Sequence, residues 1–285
     1  MTTAEFISSK LRNQRISTIS SKLTGEYTVL TDLVSYSQPD QVFPIHPEQQ
    51  FFLDELIKEK ITNARVLEIG LGSGVLSIGT LKAGAIHVTA LEINPRAKNY
   101  AGFNVLANGL EGKIEIRDGD VNDIWKPVRG DRFDYIISNP PFEPTPPGMI
   151  HYLHSGAGIW GLDFVEAMFK ELDNHLTAAG YAQIVTFAPG NAQEPFMLGD
   201  MAQKYLKGET QIKVNPISIQ FAYFVDRYVE NGQASREQVE EMKKIAQEND
   251  VSHLYLCVLH YNSQGKRSLS VTETTLAYES WLNPL

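Results

Sequence analysis

The stretch Arg65-Val-Leu-Glu-Ile-Gly-Leu-Gly-Ser-Gly74 decides the fold. The run from Val66 to Ile69 is short enough for a buried strand, and three glycines follow at Gly70, Gly72 and Gly74. Val75-Leu-Ser-Ile-Gly-Thr-Leu81 then places Val75, Ile78 and Leu81 at helical spacing. The reading is strand, tight glycine turn, helix. In an open α/β sheet that turn sits at the carboxyl edge of the strands, where ligands bind. Glycines there admit close backbone approach, because no Cβ intervenes. The dinucleotide fingerprint fails, since Val75 stands where its third glycine belongs, and no Gly-Lys-Ser or Gly-Lys-Thr marks a P-loop.

Three further landmarks follow at the spacing of alternating strands and helices. His87-Val-Thr-Ala-Leu-Glu-Ile93 reads as a second strand ending in Glu92. An acidic residue about 20 positions past such a turn is placed to grip a ribose diol, and a carboxylate accepts strongly from both hydroxyls. Ile114-Glu-Ile-Arg-Asp-Gly-Asp-Val121 is a strand entering an acidic turn, where Asp118 and Asp120 also suit ordinary turn chemistry. Phe133-Asp-Tyr-Ile-Ile-Ser138 is a strand running directly into Asn139-Pro-Pro-Phe142. The two prolines fix their φ angles. The Asn139 side-chain oxygen and the Pro140 carbonyl are thereby offered as two fixed acceptors for the N–H bonds of an amide or amine, and the Phe142 ring can stack on a planar group.

Glu68-x-Gly70-x-Gly72-x-Gly74 resembles motif I of the class I S-adenosylmethionine (SAM) dependent methyltransferases. Asn139-Pro-Pro-Phe142 resembles the Asn-Pro-Pro-Tyr/Phe motif of the branch that methylates nitrogen in protein glutamine, adenine or guanine. The resemblance implies a Rossmann-like, seven-stranded α/β fold that binds SAM. Within it, Glu68 and the glycines lie at the methionine moiety, Glu92 at the ribose, and Asp120, with Asp118 second, at the adenine amino group. Asn139, Pro140 and Phe142 are the implied catalytic set. Thr145-Pro-Pro-Gly148 after the motif, and more weakly Gly158-x-x-Gly161, resemble the N5-glutamine methyltransferases. The class I resemblance covers about residues 42–215, and the closer one about 133–190. Phe142 stands where that branch usually has tyrosine, and the chain carries a C-terminal segment the branch lacks.

The 285 residues, 42% of them hydrophobic, suffice for one large domain or a domain with an appendage. Cys257 is the only cysteine, so no disulfide forms within the chain and a reducing, cytoplasmic setting is expected. No run of 18 apolar residues and no secretory segment is found, so no membrane association is expected. The net charge of -9 disfavours extensive contact with a phosphate backbone. A nucleic-acid base is therefore the less favoured acceptor, behind a small molecule or a protein side chain. A further alternative uses SAM without an external acceptor. Asn139 then holds SAM's own α-amine for cyclisation to azetidine-2-carboxylate with methylthioadenosine release. A SAM-binding protein without catalysis is the third, disfavoured by the intact Asn-Pro-Pro-Phe motif.

Residues 1–45 read as an N-terminal cap preceding a methyltransferase domain at 46–285. Within the cap, residues 1–24 read as a solvated amphipathic helix with Phe6, Ile7 and Leu11 inward, and 25–45 as extended and irregular. Pro47 suits the first turn of a helix, and the approach to it makes Phe43 and His46 candidate pocket residues, with a staple and a surface histidine as the plain alternative. Strands are expected near 65–70, 87–92, 113–117, 133–138 and 181–187, and helices near 48–59, 73–83, 95–108, 161–178 and 192–206. The Pro- and Gly-rich stretch 143–160 reads as a polar lid with Tyr152 and Trp160 as aromatic wall. His151-x-x-His154 lacks the further ligands a zinc site needs, so no metal is expected. Beyond it, Pro216–Val225 reads as a strand, Ser235–Ala246 as a capped packing helix, and Leu254–Leu259 as a core strand. The helical insertion, about 226–250, is assigned to the acceptor site or to a homodimer contact.

Overall fold

The computed structural model describes residues 14–36, 38–149 and 156–285. The chain begins with an antiparallel hairpin, β1 (Gln14–Ser21) and β2 (Gly25–Asp32). This corrects the helix expected across 14–24. Alternate residues Ile19, Tyr27 and Val29 point into the core, which is the two-residue period of a half-buried strand. Phe6, Ile7 and Leu11 lie outside the described residues.

Two short helices, α1 (Pro47–Asp54) and α2 (Lys58–Ile61), replace the single one expected over 48–59. Then come β3 (Arg65–Ile69), α3 (Val75–Lys82), β4 (His87–Glu92), α4 (Pro95–Ala107), β5 (Ile114–Asp118) and β6 (Phe133–Ser138). After them follow α5 (Asp163–His175), β7 (Leu176–Gly190), α6 (Phe196–Tyr205) and β8 (Glu209–Val214). Through α6 these match the expected alternation, with β7 longer than the strand read at 181–187, while β8 lies just ahead of the run 216–225 read as the next strand.

The tail differs from its reading. Only Ile219–Gln220 (β9) pairs as strand, and the chain then turns into α7 (Phe221–Glu230). Phe221, Phe224, Val225 and Tyr228 are its buried residues. That is helical spacing, which the aromatic and β-branched composition of the segment masks. The next helix, α8 (Arg236–Glu248), opens with the Ser235–Gln238 capping box and buries Val239, Met242 and Ala246, as expected. β10 (His253–Asn262) and β11 (Ser268–Glu273) complete the sheet.

The main sheet has the strand order β5-β4-β3-β6-β7-β10-β8-β11, and β9 pairs with the start of β10. Strands β3 to β7 are mutually parallel, while β10 runs antiparallel to both β7 and β8. A seven-stranded arrangement forms the centre as expected, with β8 in the place given to the run 216–225, and β9 and β11 bring the main sheet to nine strands among the described residues. One core cluster gathers Val66, Tyr135, Ile137 and Val185 with the hairpin and α8; the other gathers Leu67, Ile69, Ile136 and Ile184 with α5 and α6. Burial on both faces explains why the central strands read as unbroken apolar runs.

β3 and β6 are neighbours although they are far apart in sequence, and their crossovers lead to opposite sides of the sheet. This is the topological switch point at which open α/β sheets leave a crevice beyond their strand ends. It sets Gly70–Gly74 beside Asn139–Phe142. The Ser138 hydroxyl donates to the Ile69 carbonyl at 2.6 Å and ties the two turns together.

Candidate active site

The crevice is a cavity of about 1060 Å³. Its described lining includes Glu68, Gly70, Gly72, Glu92, Asp120, Asn139, Pro140, Phe142 and Phe43. Gly70, Gly72 and Gly74 have φ of 83°, 54° and 81°. A Cβ at Gly74 would also come 3.3 Å from the Cβ of Ala101, so this turn tightens against α4. Gly74 itself caps α3 and shapes the turn from behind rather than lining the cavity.

Glu92 is fixed by two backbone donors. Gly72 N–H reaches Oε2 at 2.7 Å and Asn94 N–H reaches Oε1 at 2.8 Å. A carboxylate has about four lone-pair sites, so each oxygen keeps capacity toward the cavity. Glu68 is buried, and the Ser77 hydroxyl donates to it. Burial pushes its carboxyl up to about 8; the Ser77 hydrogen bonds oppose this and the charge of Glu92 adds to it. A buried acid of that kind is suited to meet an ammonium group, which favours its charged form.

Asp120 lies on the cavity wall, on the loop after β5. It accepts from Asn122 N–H at 2.9 Å and from Lys126 Nζ at 2.5 Å, which hold it below the usual carboxylate range, the lysine first. Asp118 is exposed and paired with Lys98, away from the cavity. Of the two aspartates, Asp120 is the one facing the cleft.

Asn139 Oδ1 is buried without a hydrogen-bond partner, a costly state for a polar atom unless a ligand completes it. Phe142 lines the cavity and rests on Phe187, ring centres 4.3 Å apart. Gly161 lets this loop lie where it does. A Cβ there would be 2.2 Å from the Phe142 carbonyl oxygen, and its φ is +72°.

Two sequence assignments are corrected. His46 is buried but does not line the cavity; its Nδ1 bonds the Pro44 carbonyl at 2.8 Å and its ring stacks on Phe43 at 4.3 Å. Burial lowers its pKa to about 4, so it is a neutral anchor at the start of α1. Trp160 also leaves the described cavity wall and packs toward Phe221 of α7, at 6.1 Å. Tyr152 and the His151/His154 pair lie outside the described residues. Among those described, no group of three or more metal-ligating side chains is found.

Sequence reading missed other lining residues, notably Gln41, Glu48, Asp123, Trp125 and Glu143. Glu143 directly follows Phe142 and was accessible from that position; Glu48 comes from α1, and only the tertiary fold shows where it points. Asn104 was also missed. Its Nδ2 donates to the Ser73 and Leu30 carbonyls, both at 2.9 Å, and its Oδ1 accepts from Leu30 N–H at 2.8 Å. It thereby locks the glycine turn to the hairpin.

Comparison with known proteins agrees with this arrangement. Over 130 residues the chain is 32% identical to a Methanocaldococcus jannaschii protein named for N5-glutamine methylation of proteins, covering 44% of this chain and 62% of that one. It is 30% identical over 128 residues to the Escherichia coli ribosomal RNA small subunit methyltransferase C, covering 45% and 32%. The chain thus spans less than two thirds of these relatives. Among solved structures, the T. thermophilus 16S rRNA N2 G1207 methyltransferase, in complex with AdoMet and guanosine, superposes with a TM-score of 0.50. It shares 19% identity, over 89% of this chain and 51% of that one. A Streptococcus mutans structure described as a SAM-dependent methyltransferase gives 0.52 at 15% identity, over 87% and 55%. The model of the methyltransferase small domain matches residues 45–207, from the approach to α1 through both cleft turns to the end of α6. With more than half of its length under that match, the chain belongs to the methyltransferase small domain family.

Proposed function

We propose that the protein is a SAM-dependent methyltransferase acting on a nitrogen of a small molecule or protein side chain. The observation that carries this reading is the buried, unpartnered Oδ1 of Asn139 in a turn stiffened by Pro140 and Pro141. An acceptor N–H completes that oxygen, and the Pro140 carbonyl offers a second acceptor. The two bonds aim the nitrogen lone pair and oppose its delocalisation.

Glu68, Gly70, Gly72, Glu92 and Asp120 would hold SAM, and the residues present suit it. The buried Glu68 matches an ammonium, Glu92 keeps free lone pairs for hydroxyls, and carboxylates dominate a cleft that would take a cationic ligand. SAM supplies an electrophilic methyl group. The chain supplies position and alignment, which account for a large share of such rate enhancements.

The rRNA relatives favour a second reading, transfer to a nucleic-acid base. The charge balance opposes it. Incubation with SAM alone, and then with amine, protein and RNA acceptors, separates the readings by product. S-adenosylhomocysteine appearing only with an amine or protein acceptor supports the proposal. Its appearance only with RNA supports the second reading, and methylthioadenosine from SAM alone points to cyclisation.

A further inference from the structure

Two carboxylates lie in the cleft with no role in holding SAM in the reading above. Glu48, in the first turn of α1, is 3% exposed and lines the cavity. Glu143 lines it too, four positions after Asn139. The residues lining the cavity are otherwise poor in positive charge. Among those described, Lys170 is the only cation, and it is tied to Glu166 at 3.0 Å. Arg227 acts on Tyr228 and His46 but does not line the cavity. None of the described ion pairs involves Glu48. An acid buried to this degree without a cation is costly unless it is protonated or a ligand brings the charge.

We infer that Glu48 and Glu143 form an anionic subsite at the acceptor side of the cleft, and that the acceptor enters as a cationic amine. This rests on the nitrogen-methylation reading and narrows it to one acceptor class.

Three observations converge on that class. The unpartnered Asn139 Oδ1 calls for an N–H donor, and an ammonium group has donors enough for it and for carboxylates at once. The backbone just after Glu143 is held in place from α7, whose Tyr228 hydroxyl donates to the Pro144 carbonyl at 3.0 Å. The two acids also sense one another. Burial pushes the Glu48 carboxyl up to about 8, its own backbone N–H and Gln49 oppose this, and the charge of Glu143 adds to it. Among the described lining residues a phosphate-rich acceptor would meet far more negative than positive charge.

The pair also solves the problem an ammonium poses. Its lone pair is locked in an N–H bond. Transfer of one proton from the nitrogen to a carboxylate oxygen of the pair leaves a neutral amine with its lone pair free and a neutral carboxyl group. The carboxyl later returns that proton to solvent.

The test is equilibrium binding to the full chain saturated with S-adenosylhomocysteine, using n-butylamine and the uncharged butyramide as probes. The expected result is a preference for the amine of tenfold or more. Glu143→Gln and Glu48→Gln should each cut that preference several-fold and leave S-adenosylhomocysteine affinity unchanged, which also shows that the variants are folded. Equal binding of the two probes, a preference for the amide, or a preference unmoved in both variants overturns the inference. Failure of S-adenosylhomocysteine to bind the wild-type chain would instead overturn the SAM-site reading on which the inference stands.

Discussion

Gly72 donates its backbone N–H to the Glu92 carboxylate at 2.7 Å. The glycine turn after β3 and the acid at the end of β4 are thus one unit, and neither can be altered without the other. Glu92→Ala should weaken SAM binding, because a charge-assisted hydrogen bond is worth about 1.5–3 kcal/mol. The freed Gly72 and Asn94 donors would loosen the turn further. Isothermal calorimetry on the folded variant checks this, and unchanged affinity would remove Glu92 from the site.

Asn139 is expected to act mainly in the transition state. Asn139→Ala should lower kcat by about 10²–10³, by analogy with the loss of an oxyanion donor, with little effect on SAM affinity. Asn139→Asp keeps the acceptor oxygen and should retain part of the activity. Wild-type turnover in the alanine variant would sink the nitrogen-methylation reading. A loss of SAM affinity instead would move Asn139 to the SAM-binding group, as cyclisation requires.

Stability should fall as pH rises across the window from about 4.5 to about 8. Glu48 and Glu68 titrate near 4.5 in the unfolded chain and near 8 when folded. Between those values the folded state binds more protons, so each unit of rising pH costs stability until both acids are ionised. Other carboxylates titrate as well, so the informative measurement is a difference. The melting temperature of Glu68→Gln should gain on wild type by several degrees between pH 5 and pH 8.5. Parallel curves would show that Glu68 ionises normally in the fold. SAM binding near pH 7 should release protons, visible as a dependence of binding heat on buffer ionisation enthalpy.

Gly161→Ala should disturb the loop that follows Asn139. Its left-handed φ alone costs roughly 1–2 kcal/mol, and the added Cβ would press on the Phe142 carbonyl. A lower melting temperature with a raised acceptor KM and near-normal SAM affinity is expected. A variant with an unchanged KM would show that the loop shifts freely.

What the sequence made legible was local. The strand-turn-helix around Gly70–Gly74, the acid at Glu92 and the turn at Asn139–Phe142 each carry their signal within a dozen residues. The misreadings also have physical causes. The run 216–225 is rich in aromatic and β-branched residues, and its helical spacing shows only once Tyr223 is seen to be exposed and Phe221, Phe224 and Tyr228 buried. The approach to α1 makes both Phe43 and His46 pocket candidates, but the His46 ring turns back on Phe43 and on the Pro44 carbonyl. Asn104 owes its placement to partners brought near only by folding, and Glu48 meets the cleft only once α1 packs there, so no pattern along the chain announces them.

The segment Glu143-Pro-Thr-Pro-Pro-Gly148 loses half of its backbone donors to proline. Apart from the Thr145 hydroxyl bonding the Glu143 carbonyl at 2.9 Å, its shape is held from outside. Tyr228 bonds the Pro144 carbonyl, Gln238 Nε2 bonds the Pro147 carbonyl at 2.8 Å, and Thr145 N–H bonds the Gly158 carbonyl at 3.0 Å. The loop after Asn139 is therefore not a portable module. Grafted alone onto a relative without α7 and α8, it would arrive without its scaffold, so a transplant of specificity has to carry residues 139–161 and 221–248 together.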